Sequence, residues 1–144
     1  MSMNATSAAV AGAVTFLWVG MVLAISFIEA PLKFRAPGVT IPVGLGIGRM
    51  VFRALNRVEI GLASVIVVAV AVGDPQAGTV VLIGVVAVLL AVQLAVVRRR
   101  LNRRSDRVLA GEQLPRSRGH VYYVGFEIAK VLALTALGVS LAAA

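Results

Sequence analysis

Four apolar runs, each close to the roughly 20 residues needed to cross a hydrocarbon core about 30 Å thick, take up most of this 144-residue chain. The first covers about residues 8–30 and is closed by Pro31. The second covers about 44–72 and ends at the turn "GDPQAG". The third runs from 79 to 97, where the arginines begin, and the fourth from 121 to 144. The bilayer core has no water to satisfy a bare backbone, so such runs span it as helices. The expected fold is therefore all-α, an integral membrane four-helix bundle filling a single membrane domain over 1–144. Composition agrees, with 60% apolar residues and a mean hydropathy of +0.97 against about 45–50% apolar in soluble domains.

The connections are basic. Thirteen of the fourteen Lys and Arg residues fall in two segments, 31–57 and 98–120. Short loops rich in Lys and Arg stay on the cytoplasmic side, which predicts both termini on the outer side and both long connections inside. The net charge of +8 then follows from topology. "RRRLNRRSDR" at 98–107 reads as a partner for anionic lipid headgroups, and no nucleic-acid partner is expected. Cysteine is absent, which excludes disulfides, thiolate-held iron-sulfur clusters and cysteine nucleophiles. The start "MSMNATSAAV" lacks the basic n-region of a secretory signal, so the first run is read as a retained span. "PLKFRAPGVTIPVGLGIGR" at 31–49 is rich in Pro and Gly; within it "GLGIGR" lacks the strand-turn-helix setting of a phosphate loop and reads as a bend near the membrane surface.

Polar residues inside the spans carry the functional signal, because they are costly there and face a bundle interior or an aqueous cavity. Thr15, Trp18, Ser26 and Glu29 share a stripe of the first span at ordinary helical spacing. Asn56 and Glu59 enter the second, and Gln93 is the one interior polar group of the third. In the fourth, His120, Tyr123, Glu127 and Lys130 follow i, i+3, i+7, i+10 spacing and share a face. A central charge costs about 2.5–3.5 kcal/mol, and a strongly apolar residue returns only about 0.3–0.6. Glu127 and Lys130 therefore need partners from other helices. Gly125, Ala129, Ala133, Ala136 and Ser140 form a second stripe on the same span, suited to close helix approach, within the bundle or in a homo-oligomer.

The expected pocket comprises Glu29, Glu59, Gln93, Glu127 and Lys130, with Arg49, Arg53, Asn56 and Tyr123 at its rim. One reading is a structural ion pair of Glu127 with Lys130 or with an arginine of the first basic segment. The other is a site for a proton, a cation or a small polar species, since carboxylates clustered in low dielectric titrate as coupled groups. His120, the one histidine, is the candidate ligand for a metal or haem. Met21 in the first span reads as core, and Trp18, near mid-span, as packing against the polar stripe.

"FLWVGMVLAISFIEAPLKFRAPG", with "EAP…F" at the exit of the first span, resembles small bacterial four-span proteins of unknown function related to the copper-resistance D and transmembrane-protein-205 group. The likeness covers mainly residues 16–60, with an echo in "GHVYYVGFEIAKVLAL". It implies a four-helix bundle in a bacterial inner membrane, with metal or haem handling through His120; the methionine and histidine clusters of copper binders are missing. "FRALNRVE" is similar to the second-helix signature of MAPEG proteins, membrane enzymes and binders of glutathione and lipid mediators. That resemblance implies glutathione held by Arg53, Asn56 and Glu59. The interval from Arg53 to Asn56 is one residue short of the family pattern, and the family's third-helix arginine and tyrosine pattern is absent. A structural or assembly subunit of a membrane complex is the remaining alternative.

Overall fold

A computed structural model describes residues 4–112 and 119–143, the side chains of Gly119 and His120 excepted. Four long helices account for nearly all of them: α1 (Ala5–Lys33), α2 (Ile41–Val72), α3 (Ala77–Leu109) and α4 (Gly119–Ala142). All four are long and apolar enough to cross a membrane. They alternate in direction. Asn4 N–H donates to the Gly73 carbonyl at 3.1 Å and Thr79 Oγ1 lies 3.3 Å from Ser140 Oγ, so the two chain ends share one end of the bundle. The arginine-rich connections lie at the other.

Two helices are longer than the apolar pattern predicts. The first span continues through Pro31 to Lys33 instead of closing at Pro31. Proline has no N–H, and its ring crowds the carbonyl four residues earlier. Here Leu23–Glu29 forms a π-helical segment in which Ala30 N–H reaches the Ile25 carbonyl, one residue further back than an α-helix allows. The wide turn makes room for the ring. The third span does not stop at Arg98 either. Arginine forms helix well, so charge ends the apolar span without ending the helix. A second π segment, Gln93–Val97, precedes Arg98, whose N–H bonds the Gln93 carbonyl, and α-helix resumes over Arg98–Leu109. Gly111, at φ +93°, follows the helix end in the left-handed conformation that glycine adopts without strain.

α2 begins at Ile41, three residues before the expected boundary. The Thr40 side chain accepts from Val43 N–H at 3.3 Å, and Pro42 occupies the first turn, where its missing donor has no intrahelical partner to lose. "GLGIGR" is thus helical, and the expected bend is overturned. Two of its three glycines serve close approach: a Cβ on Gly44 would collide with the Phe34 ring, and one on Gly48 would stand 3.0 Å from Lys33 Nζ. At 32 residues α2 is about 48 Å long, so it outruns a core about 30 Å thick.

α1 packs between α2 and α4, and α4 between α1 and α3. α2 meets α3 mainly through the arginine-rich extension of α3 rather than along the spans. The core lies in the terminal two-thirds of the bundle and is built from Ala11, Trp18, Val22, Ile66, Val70, Val86, Leu90, Leu134, Leu137 and Leu141. On α4 the face that packs is therefore the one carrying Leu134, Leu137 and Leu141. Of the small-residue stripe, Ala129, Ala133 and Ser140 are half-buried within the chain, while Gly125 and Ala136 are exposed, and a Cβ on Gly125 would meet nothing within 4 Å.

Candidate functional site

Lys130 is fully buried, and its ammonium is held from three helices. It donates to Glu59 of α2, to Gln93 Oε1 of α3 at 2.8 Å, and to Glu127 Oε1 of its own helix at 2.8 Å. An ammonium has three protons to give, and each has an acceptor. Gln93 Nε2 donates to Glu127, so one amide bridges the base and the acid.

α1 supplies the remaining donors. Trp18 Nε1 donates to Glu59 Oε2 at 2.8 Å, and Ser26 Oγ donates to Glu127 Oε2 at 2.7 Å. Neither was among the expected site residues, although both lay on the recognised stripe. An indole N–H at mid-span cannot turn to water, so it needs an acceptor. That requirement was a readable signal. Glu59 Oε1 is buried with no hydrogen-bond partner among the described residues. Glu59, Gln93, Glu127 and Lys130 are all fully buried, so the network sits inside the bundle with two carboxylates facing one ammonium. Both π segments contribute to it, Ser26 from the first and Gln93 from the second.

Glu29 does not join them. Its side chain is 36% exposed and lies 3.6 Å from Lys33 Nζ, an i, i+4 pair on the outer part of α1. The wide turn at Leu23–Glu29 takes more residues per revolution than the 3.6 used to draw the stripe, so residues beyond it fall behind that face. Glu29 therefore stands apart from the cluster.

Above the network, toward the arginine-rich end, lies a cavity of about 380 Å³. Ser26 and Glu127 form part of its lining, with Phe27, Phe34, Phe52 and Tyr123 among the walls and Lys33, Arg49 and Arg98 as its cations. The cations are held against rings. The Arg98 guanidinium lies 4.6 Å from the Phe52 centroid and 4.3 Å from that of Tyr123, while the two rings meet edge to face at 5.4 Å. Lys33 Nζ approaches Phe34 and Phe52 at 5.7 Å each. In such contacts the negative face of the ring attracts the cation. Arg49 pairs with Asp106.

Of the expected rim, Arg49 and Tyr123 line this cavity. Arg53 and Asn56 do not. They line a separate hollow between α2 and α3, away from Glu59, so the three residues aligned with the MAPEG signature do not face one site. The His120 side chain lies outside the described residues. Among those described, no three histidine, cysteine or acidic side chains converge as a metal-ligand group.

No family model, curated protein or solved structure matches the chain. The geometry is therefore the basis for reading the site.

Toward the terminal end the network rests on apolar side chains. Beneath it is a small hollow of about 20 Å³ between α2 and α3, lined by Trp18, Ala63, Ile66, Val67, Ile83, Val86, Ala87 and Leu137 and partly open to the helix surface. The one polar group among those side chains, the Trp18 N–H, is taken by Glu59. The buried acids thus have a cavity on one side and packed hydrocarbon on the other.

Proposed function

We propose that this chain is a membrane protein whose buried Glu59–Glu127–Lys130 network takes up and releases a proton through the cavity at its arginine-rich end, which faces the cytoplasm. One observation carries the reading: two carboxylates share one ammonium in a fully buried site, and one of them, Glu127, opens with Ser26 onto a cavity. Two acids and one base leave one negative charge in excess. An uncompensated charge in a bundle interior costs several kcal/mol. A proton on Glu59 Oε1, the oxygen without a partner, removes the excess charge.

The proposed exchange route runs from the cavity to Glu127, and from there across the shared ammonium to Glu59. Gln93 and Trp18 hold the two carboxylates in place, and Ser26 Oγ is the first hydroxyl that an incoming proton meets. In this reading the apolar core below acts as the seal and the cavity is the route of access, as in a carrier's or a sensor's site. Proton movement, or the co-binding of a small polar species in the cavity, would follow from breaking that seal.

The test is infrared difference spectroscopy on protein reconstituted in lipid vesicles, stepping the external pH. A protonated-carboxyl band is expected in the native chain and in Glu29→Gln, and it should be lost or displaced in Glu59→Gln and Glu127→Gln. A pH-sensitive dye trapped in the same vesicles reports whether protons also cross. An identical difference spectrum for native protein, Glu59→Gln and Glu127→Gln would reduce the network to a structural ion cluster.

A further inference from the structure

The second hollow, about 180 Å³, lies where α2 and α3 diverge, and it takes no part in the proton reading. Its lining contains four arginines, Arg49, Arg53, Arg57 and Arg98, and no carboxylate. Asp106, paired with Arg49, is the acid nearest to this set that the ion pairs reveal. Nε and Nη2 of Arg98 are buried and have no hydrogen-bond partner among the described residues. Asn56 is 8% exposed, and its Oδ1 likewise has no partner. The site thus presents the buried donors of Arg98 beside the exposed Arg53 and Arg57, which together call for an anion, and one buried acceptor, which calls for a donor such as a hydroxyl.

The hollow is graded along the bundle axis. α2 runs inward from the arginine-rich end and α3 runs outward, so Ile60 and Leu94 are the deepest lining residues, while Arg49 and Asn102 lie toward the surface. Because α2 and α3 do not close on each other along their spans, the deep apolar side borders the lipid-facing groove between them.

We infer that the hollow between α2 and α3 binds the headgroup of an anionic phospholipid that carries a free hydroxyl. Its phosphate sits among Arg53, Arg57 and Arg98, its hydroxyl donates to Asn56 Oδ1, and its acyl chains leave past Ile60 and Leu94. Planar guanidinium groups match a phosphate's oxygens in pairs. The hydroxyl requirement separates a glycerol headgroup from a choline one.

Native mass spectrometry of protein extracted from vesicles of equal phosphatidylglycerol and phosphatidylcholine tests this directly. One phosphatidylglycerol retained per chain is the expected result, with Arg53→Gln/Arg57→Gln weakening retention on the order of fivefold for each arginine removed. Asn56→Leu should narrow the preference for the glycerol headgroup over phosphatidic acid. The double variant Arg100→Gln/Arg103→Gln removes the same charge from residues that line neither cavity and should leave retention unchanged. Equal losses in both double variants, or equal retention of the two lipids by the native chain, would overturn the proposal in favour of diffuse surface attraction. Displacement of the lipid by glycerol phosphate at matched concentration would overturn the lipid assignment and give the site to a soluble phosphate ester. The infrared carboxyl band is read on the same samples. Its persistence in Arg53→Gln/Arg57→Gln separates failure here from failure of the proton reading.

Discussion

Toward the chain termini the helices meet through Ala11, Ile66, Val86, Leu134 and Leu141, with a hollow of about 20 Å³ beside Ile66 and Val86. At the arginine-rich end they part around a cavity of about 380 Å³ and a smaller one beside it. The two regions use the same four helices under different physics. In hydrocarbon, apolar side chains gain little by leaving lipid for protein, so the terminal half holds together through fit. The polar half has charges that no lipid can satisfy, so its helices are held by the partners that those charges require. Local changes should therefore have larger effects in the second region than in the first.

The largest expected effect is at Lys130. Lys130→Met leaves two buried carboxylates facing each other and should lower unfolding stability by about 3–5 kcal/mol, read as a fall in the denaturant midpoint in micelles. Glu59→Gln/Glu127→Gln/Lys130→Met should recover most of it, because the carboxylates lose their charge as the ammonium is removed. A triple variant no better than the single would show that packing, not charge, holds this half. Leu134→Ala in the terminal half should cost about 2 kcal/mol, at the low end of the range for soluble cores, because the unfolded chain in a bilayer keeps that side chain in hydrocarbon. A loss as large as that of Lys130→Met would break the contrast between the halves. Trp18→Phe keeps most of the ring and removes the donor to Glu59, for about 1 kcal/mol. Ser26→Ala should cost the least, about 0.6 kcal/mol. Its signature is a slowed appearance of the carboxyl infrared band after a pH step, with the band's amplitude preserved.

The spans were legible because apolar run length alone determines them, and Glu59, Gln93, Glu127 and Lys130 were legible because buried charge is rare enough to stand out. What the pattern hid lies at the two wide turns. Stripe counting assumes a constant 3.6 residues per turn, and Leu23–Glu29 breaks that assumption, which carries Glu29 away from the cluster while Ser26 stays on it. Arg98 seemed to end a helix because it ends a hydrophobic run, two events that coincide only when the following residues disfavour helix; these do not. Gly44 and Gly48 read as flexible for want of their partners, Phe34 and Lys33, which the turn after α1 folds back onto them. Arg53 and Asn56 lie on the same helix as Glu59, but the divergence of α2 from α3 gives them a hollow of their own.

Arg98 belongs to the lining of both cavities. A single guanidinium has one plane and one charge, so whatever draws it toward one chamber depletes the other. Occupancy of the two is then linked, and by thermodynamic reciprocity each occupant alters the other's affinity by the same factor.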